Sequence, residues 1–164
     1  MNETQFVCAC ATARHVARTL TQFYDHVLKD TGLEAPQFAL LLTIEKLGPS
    51  SQVLLGRRFG MDKTTVSRNV RWLEHRGWVA SAAGPTRRER RLALTSAGRR
   101  QLAAAKPVWQ AAQHTLRAEM SAAEWAAMFR AFETIAGAAE RAKRKHVERM
   151  RRGPAAPQQK AETR

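Results

Sequence analysis

The most constraining feature of the chain is a pair of short helical patterns interrupted by the three residues Gly60-Met61-Asp62. Glycine ends a helix readily, because it adopts the left-handed backbone conformation without steric cost. Aspartate is a preferred cap for the next helix, because its carboxylate accepts hydrogen bonds from the free backbone N–H groups there. The segment from Ser51 to Gly77 is therefore predicted to contain two short helices joined by a tight turn.

The second of these helices has two chemically different sides. Val66, Val70 and Leu73 recur at the three- and four-residue steps of an apolar stripe, which predicts that this side is buried. The opposite side carries lysine, threonine, serine and arginine, which are residue types that contact phosphates and base edges. These residues are Lys63, Thr64, Ser67, Arg68 and Arg71. The pattern predicts a helix-turn-helix whose second helix presents a solvent-exposed basic flank.

An extended segment with a basic tip is predicted after the two helices. Gly84-Pro85 indicates a turn, and the residues that follow alternate basic or small side chains with Leu92 and Leu94. This alternation predicts a two-stranded hairpin. Its predicted tip carries Arg87, Arg88, Arg90 and Arg91.

Amphipathic helices are predicted on both sides of this central region. Apolar residues recur at helical spacing from Ala13 to Leu28. A short helix is predicted to begin at Pro36 and to end before Gly48-Pro49. After the hairpin, one helical pattern starts near Ser96 and another starts at the capping box Ser121-x-x-Glu124. The predicted fold class is mainly α with a small β-hairpin.

The charge of the chain favours a polyanionic partner. Its 164 residues include 28 Lys and Arg but 14 Asp and Glu, a formal net charge of +14. Such a surplus favours nucleic acid or an anionic membrane surface as the partner. The longest apolar stretch, Phe38 to Ile44, is far shorter than the ~20 residues that cross a bilayer. We therefore expect no membrane-spanning segment, and of the two candidate partners we expect nucleic acid and no membrane. Because the N-terminal region lacks the features of a secretory signal, we expect a cytoplasmic protein.

The sequence gives no support for an enzyme. It contains no glycine-rich phosphate loop, no nucleophile-elbow pattern and no histidine–carboxylate pairing at metal-ligand spacing. Cys8, Cys10 and His15 resemble part of a metal site, but a structural zinc site normally needs four ligands and the sequence shows no second cluster. We therefore expect no catalysis, no cofactor and no bound metal.

The order of these elements and the residues within them resemble the MarR family of transcriptional regulators. The most specific segment runs from Leu55 to Val79 and is followed by Arg88 and by Leu94-Thr95-Ser96-Ala97-Gly98. The resemblance covers about residues 5 to 147. It implies a winged helix-turn-helix with dimerisation helices at both ends of the chain.

Three positions depart from the family pattern. Thr86 stands where such regulators usually have an aspartate, two residues before the wing arginine. Gly56 replaces the usual alanine, which preserves the close approach of two helices but weakens its own helix by ~1 kcal/mol. Glu34 and Ala35 replace a threonine-like cap before the second helix. The last two departures remove no DNA contact.

The resemblance implies a homodimer that binds a palindromic operator in double-stranded DNA and acts as a repressor. The winged helix-turn-helix would span about residues 36–95, and helices at about 5–31 and 96–147 would form the dimer. These parts would make one domain, residues 1–152, followed by a disordered tail at 153–164. The two half-sites are expected one helical turn apart, ~10 bp.

The resemblance also implies the DNA contacts. Arg68 and Ser67 would be the principal residues of the recognition helix, since arginine matches the two acceptors of guanine. Arg88 would enter the minor groove, and the other wing arginines would mostly contact phosphates. The full predicted set is Lys63, Thr64, Thr65, Ser67, Arg68, Arg71, Arg87, Arg88, Arg90 and Arg91.

Control of the regulator has several open interpretations. Some family members sense oxidants through a cysteine in the first helix, so Cys8 and Cys10 are either redox sensors or packing residues at the dimer interface. Other members bind a small aromatic or anionic ligand, for which His15, Tyr24 and Phe38 are candidate pocket residues, with plain core packing as the alternative. The alternatives to a specific regulator are a nucleoid-type architectural protein that binds DNA non-specifically and a winged motif that contacts protein or RNA.

Overall fold

The computed structural model describes residues 8–84 and 90–152. Thr86, Arg87, Arg88 and the tail at 153–164, about which predictions were made above, lie outside these ranges. The elements are α1 (Ala9–Leu28), a 3-10 turn (Lys29–Thr31), α2 (Ala35–Leu47), α3 (Gln52–Phe59), α4 (Lys63–His75), β1 (Val79–Ala83), β2 (Arg90–Leu94), α5 (Ser96–Ala118) and α6 (Ala122–Arg152). This mainly helical architecture with a small antiparallel hairpin confirms the predicted fold class.

The chain divides into two compact units, with the boundary between Thr115 and Leu116 inside α5. The first unit contains one apolar cluster built from α2, α3, α4, both strands and the first half of α5. Its buried residues include Leu40, Leu41, Ile44, Leu55, Val66, Val70, Leu73, Val79, Leu92, Leu102 and Ala105. This cluster fixes α3, α4 and the hairpin as one body, because each of them contributes side chains to the same core.

The start of α2 is capped by groups other than the threonine-like residue of the family pattern. The backbone N–H of Ala35 donates to Oδ1 of Asp25, in α1, at 2.6 Å. The N–H of Glu34 donates to Oε1 of Gln37 at 3.1 Å, and the Gln37 amide donates back to the Glu34 carboxylate at 3.3 Å. The departure at Glu34 and Ala35 therefore leaves the free N–H groups of this helix satisfied.

The hairpin is attached to the start of the helix-turn-helix. Its register pairs Val79 with Leu94 and Ala83 with Arg90. Leu92 also forms two backbone hydrogen bonds with Ser50, of 2.8 and 3.0 Å, just before α3. Arg90 and Arg91, which the sequence places at the tip of the hairpin, lie instead in the paired part of β2, because the ladder extends to Ala83.

The second unit is dominated by α6. The hydroxyl of Ser121 accepts from the N–H of Glu124 at 3.2 Å, and Oε2 of Glu124 accepts from the N–H of Ser121 at 2.8 Å, which confirms the predicted capping box. The helix continues to Arg152, past the predicted end at residue 147. Within residues 8–84 and 90–152, no helix is both long enough and apolar enough to cross a membrane.

Candidate nucleic-acid interface

The turn between α3 and α4 has the geometry that its sequence predicts. Gly60 ends α3 with φ 61°, in the left-handed region, and the side chain of Asp62 accepts from the N–H of Thr65 at 2.9 Å. A Cβ placed on Gly56 would lie 3.2 Å from the carbonyl oxygen of Met61 and 3.3 Å from Cγ2 of Val66. Glycine at position 56 thus gives this crossing of the two helices more room than alanine would.

The side of α4 that faces the core is buried. Val66, Val70 and Leu73 are all buried, which confirms the predicted apolar stripe. Asn69 is buried beside them, and its amide donates to the carbonyl oxygen of Thr65 at 3.0 Å. The sequence analysis missed Asn69, although its place three residues after Val66 puts it on the same stripe.

The outer side of α4 brings five of the predicted contact residues together. Lys63, Thr64, Arg68 and Arg71 are exposed, Ser67 is half-buried, and the five line a shallow groove of about 470 Å³. Among the residues that the structure describes, Arg68 and Arg71 form no hydrogen bond or ion pair. Their guanidinium donors are therefore available to external acceptors such as phosphate oxygens and guanine edges.

Thr65, also a predicted contact, takes part in the cap at the start of α4. Its side chain is half-buried, and its hydroxyl donates to Oδ2 of Asp62 at 2.7 Å. The hydroxyl proton is thus used inside the first turn of α4, where it orients the capping carboxylate. Thr65 contributes to how α4 begins as well as to the surface beside it.

The hydrogen bonds from Thr65 make the cap of α4 sensitive to acid. They hold the pKa of Asp62 below its ordinary value of 3.8. A lowered pKa in the folded state means that the ionised cap stabilises the fold above pH 3.8 and that this contribution disappears as the pH falls through the folded pKa. We expect the stability difference between wild type and Asp62→Asn to shrink below pH 3.8, measured by urea unfolding at several pH values. An unchanged difference there contradicts this role, and Asp30→Asn is the control for loss of one exposed carboxylate.

The start of β2, at the turn end of the hairpin ladder, adds further cations. Arg90 is exposed, and its Nε donates to Oγ of Ser81 at 2.7 Å across the two strands. Arg91 is half-buried. The remaining predicted wing contacts, Arg87 and Arg88, lie outside the described residues. The structure thus supports the position of Arg90 beside the helix-turn-helix and leaves the other two as predictions.

A cleft of about 540 Å³ joins α3, α4 and β2. Its apolar lining includes Val53, Met61 and Val66, and its cationic lining is Arg57, Lys63 and Arg90. Arg57 was not among the predicted contacts. Because the cleft also needs β2, which lies well beyond the two helices in sequence, periodicity within one helix could not reveal it. Its cations show that α3, α4 and the hairpin contribute positive charge to one common surface.

The end of α4 is held by contacts between a guanidinium group and two indole rings. The guanidinium of Arg76 lies 5.3 Å from the ring of Trp72 and 5.0 Å from the ring of Trp78, and the two indoles meet edge to face at 5.4 Å. Cation–π contacts at exposed sites contribute ~0.5–1 kcal/mol each. They connect the last turn of α4 to the residue before β1, and so help to set the direction of the exposed flank.

The candidate ligand-pocket residues occupy different environments in this chain. Phe38 is buried and packs against Trp109, with ring centroids 5.5 Å apart. Tyr24 is half-buried against Phe23, and burial raises the pKa of its hydroxyl. His15 is exposed on α1. Phe38 therefore has a core role whether or not it also meets a ligand.

The two cysteines are exposed free thiols at the start of α1. Exposure makes both sulfurs accessible to small oxidants. Within the described ranges, no group of three or more His, Cys, Asp or Glu side chains is arranged to hold a metal ion.

Comparisons with known proteins relate this chain to transcriptional regulators. Residues 31–89 match the family model described as MarR family. The chain is 34% identical to the M. tuberculosis transcriptional regulator MosR, whose crystal structure is in complex with DNA; the match covers 83% of this chain and 98% of MosR, with a TM-score of 0.74. It is 25% identical to the transcriptional regulator PcaV from Streptomyces coelicolor, solved with its natural ligand; here the match covers 83% of this chain and 99% of PcaV, with a TM-score of 0.68.

A curated relative matches a shorter part of the chain. The HTH-type transcriptional regulator YwoH of Bacillus subtilis is 29% identical over 79 residues, which are 48% of this chain and 58% of YwoH. The chain therefore matches less than two thirds of the length of that relative. Its description as an HTH-type transcriptional regulator agrees with the other comparisons.

Proposed function

The chain belongs to the MarR family, and from this premise we propose that it is a DNA-binding transcriptional regulator. The observation that carries the proposal is the exposed flank of α4, where Arg68 and Arg71 have no partner within the described residues. The solved relative MosR was crystallised with DNA, which supports DNA as the partner. The matched relatives are transcriptional regulators and not enzymes, and this supports the expectation that the chain has no catalytic role.

In the proposed complex, α4 lies in the major groove of double-stranded DNA. Arg68 donates to the O6 and N7 acceptors of a guanine, and Arg71 contacts a neighbouring base or phosphate. The hydroxyls of Thr64 and Ser67 and the ammonium of Lys63 contact the backbone. Arg88 enters the minor groove, while Arg87, Arg90 and Arg91 contact phosphates on either side of it.

We propose further that the protein binds as a homodimer on a palindromic operator and acts as a repressor in the cytoplasm. Phe129, Phe132 and Ile135 on α6 are each about half exposed in the single chain, at 50%, 45% and 54%. Large apolar side chains at this exposure favour burial against another surface, and a second copy of the same helix would supply one. Two copies of α4 in a symmetric dimer would then face half-sites ~10 bp apart.

Selection of bound fragments from random and genomic DNA tests the function. A specific regulator should enrich a palindrome and retain affinity for it at salt concentrations that remove non-specific binding. The alternative, an architectural nucleoid-type protein, should enrich no sequence and should show the same steep salt dependence on every duplex. Enrichment without any preferred sequence contradicts the proposed specific function.

Release from DNA is proposed to follow either ligand binding or thiol oxidation. The crystal structure of PcaV contains its natural ligand, which supports a ligand as one signal. For this chain we propose a small aromatic or anionic molecule near His15, Tyr24 and Phe38. The exposure of Cys8 and Cys10 supports oxidation as the other. The two signals can be tested separately, because only the second depends on sulfur.

For the oxidation signal, we expect replacement of Cys8 and Cys10 with serine to leave DNA binding unchanged in reducing buffer. Peroxide should release the wild type from its operator but not the double serine variant, because serine cannot form a sulfenic acid or a disulfide. Binding is measured by fluorescence anisotropy with labelled duplex before and after oxidation. If peroxide does not release the wild type, the sensing hypothesis is wrong and the cysteines are packing residues.

A further inference from the structure

The charge of α6 changes abruptly along its length. The first part, residues 122–140, contains one arginine and three glutamates. The last part, residues 141–152, contains seven lysines and arginines and one glutamate, and it remains helical to its end. The exposed apolar side chains Phe129, Phe132 and Ile135 lie in the first part. The two parts of this helix therefore have different chemistry, and the basic part needs its own explanation.

The stability of the helix does not explain a basic part of this length. Cations stabilise the negative end of a helix dipole only within the last turn, whereas this run covers about three turns. Arg141 and Lys145 are like charges four residues apart, as are Lys145 and Arg149, and such pairs destabilise an isolated helix by ~0.2–0.5 kcal/mol each. Among the described residues, no salt bridge forms within this run. Its positive charge is thus not neutralised by ion pairs within residues 8–84 and 90–152.

Three of these cations form one row on the helix surface. Arg141, Lys145 and Arg149 are separated by four residues each, so they project from one face of the helix with steps of ~6 Å along its axis. All three side chains are exposed. Duplex DNA presents one negative charge per ~1.7 Å of its axis, so a row of cations ~12 Å long can face several phosphates at once.

We propose that the row formed by Arg141, Lys145 and Arg149 is a second DNA-contact surface, which binds the phosphate backbone without reading sequence. The proposal rests on the proposed function for its choice of duplex DNA as the polyanion. An anionic membrane fits less well, because Val147 and Met150 are the only large apolar residues among residues 141–152. A helix that lies in a bilayer interface needs a broad face of such side chains. The row therefore adds affinity and salt dependence, while α4 supplies preference for sequence.

The test compares two triple variants of the full chain. Arg141→Gln/Lys145→Gln/Arg149→Gln removes the row, and Lys46→Gln/Arg117→Gln/Arg130→Gln removes the same charge from exposed positions elsewhere. The probes are a duplex of ~30 bp recovered by selection and a scrambled duplex of the same composition, titrated between ~50 and ~200 mM salt. Circular dichroism checks that both variants keep the helical content of wild type.

We expect loss of the row to weaken binding to both duplexes by ~10-fold or more, with the ratio of the two affinities unchanged. The slope of log affinity against log salt should fall by up to ~2.7 per protomer, because each phosphate contact contributes ~0.9. The control triple should change both quantities much less. If the row variant loses helical content, Arg141→Lys/Arg149→Lys keeps the charge and is expected to bind like wild type.

Equal effects of the two triple variants would show that only net charge matters, and this would overturn the proposal. Loss of binding to phosphatidylserine vesicles with unchanged binding to both duplexes would overturn it in favour of a lipid partner. If the proposed function itself is wrong, the experiment gives a different result. In that case the selection recovers no preferred sequence, yet the row variant still weakens binding to the scrambled duplex.

Discussion

Replacement of Gly98 with alanine is expected to lower the free energy of unfolding of the first compact unit by ~3 kcal/mol or to prevent its folding. Gly98 is buried in the first turn of α5. A Cβ at this position would lie 1.9 Å from the carbonyl oxygen of Trp78 and 2.8 Å from its carbonyl carbon. Both are backbone atoms, so the clash is relieved only if α5 and the start of the hairpin move apart.

Such a movement would break a hydrogen-bonded junction. The N–H of Thr95 donates to the carbonyl oxygen of Trp78 at 3.1 Å. The Thr95 hydroxyl donates to the carbonyl oxygen of Gly77 at 2.7 Å. The N–H of Gly98 donates to the Thr95 hydroxyl oxygen at 3.0 Å. This junction connects the end of α4, the hairpin and α5, so its loss should also misplace the DNA-facing surface.

Urea unfolding followed by circular dichroism measures the effect. Gly137→Ala in the middle of α6 is the matched control, because its new methyl group would meet only the flexible end of Arg141, 3.1 Å away. That variant should gain ~0.5–1 kcal/mol, since alanine is the better helix former. A Gly98→Ala protein with the unfolding midpoint of wild type would contradict the close packing described for this turn.

Replacement of Arg68 with alanine is expected to have the largest effect on DNA recognition. One bidentate contact between arginine and guanine contributes ~1–3 kcal/mol of discrimination, which corresponds to ~5- to 150-fold in affinity. The variant should bind the selected operator more weakly and should lose its preference at one base pair of each half-site. Affinity for scrambled duplex should change much less, because the phosphate contacts remain.

Two observations make Arg68 a clean test residue. Its side chain is exposed and makes no hydrogen bond or ion pair with the part of the chain that the structure describes, so its removal should not change stability. Arg100→Ala, at an exposed position on α5, is the control for loss of one positive charge. If both variants lose the same affinity and neither changes the sequence preference, Arg68 is not a base-reading residue.

Local chemistry was sufficient to predict the helix-turn-helix. The glycine and aspartate of the turn, the buried stripe of Val66, Val70 and Leu73, and the exposed basic flank were all predictable from spacing and capping rules. Each of these features depends on residues within about two helical turns of one another. The wing arginines Arg87 and Arg88 were predicted in the same way and stay predictions.

Features that join distant parts of the chain were not predictable. The cap that Asp25 provides for α2 spans ten residues, and the cleft lined by Arg57, Lys63 and Arg90 needs three separate elements. No single-helix period contains such information. The dimerisation helices were predicted to end at about residue 147, whereas α6 continues to Arg152. Lysine and arginine are good helix formers, and the first strong helix breakers are Gly153-Pro154.

The central claim is that the exposed flank of α4 reads bases in the major groove, and methylation interference at guanine N7 tests it most directly. A duplex recovered by selection is methylated sparsely and divided into bound and unbound fractions with wild type and with Arg68→Ala. We predict that methylation of one guanine in each half-site blocks wild-type binding and has no effect on the variant, because the lost contact is the one that the methyl group obstructs. Wild-type binding that tolerates methylation at every guanine, or a variant with the interference pattern of wild type, would contradict the claim.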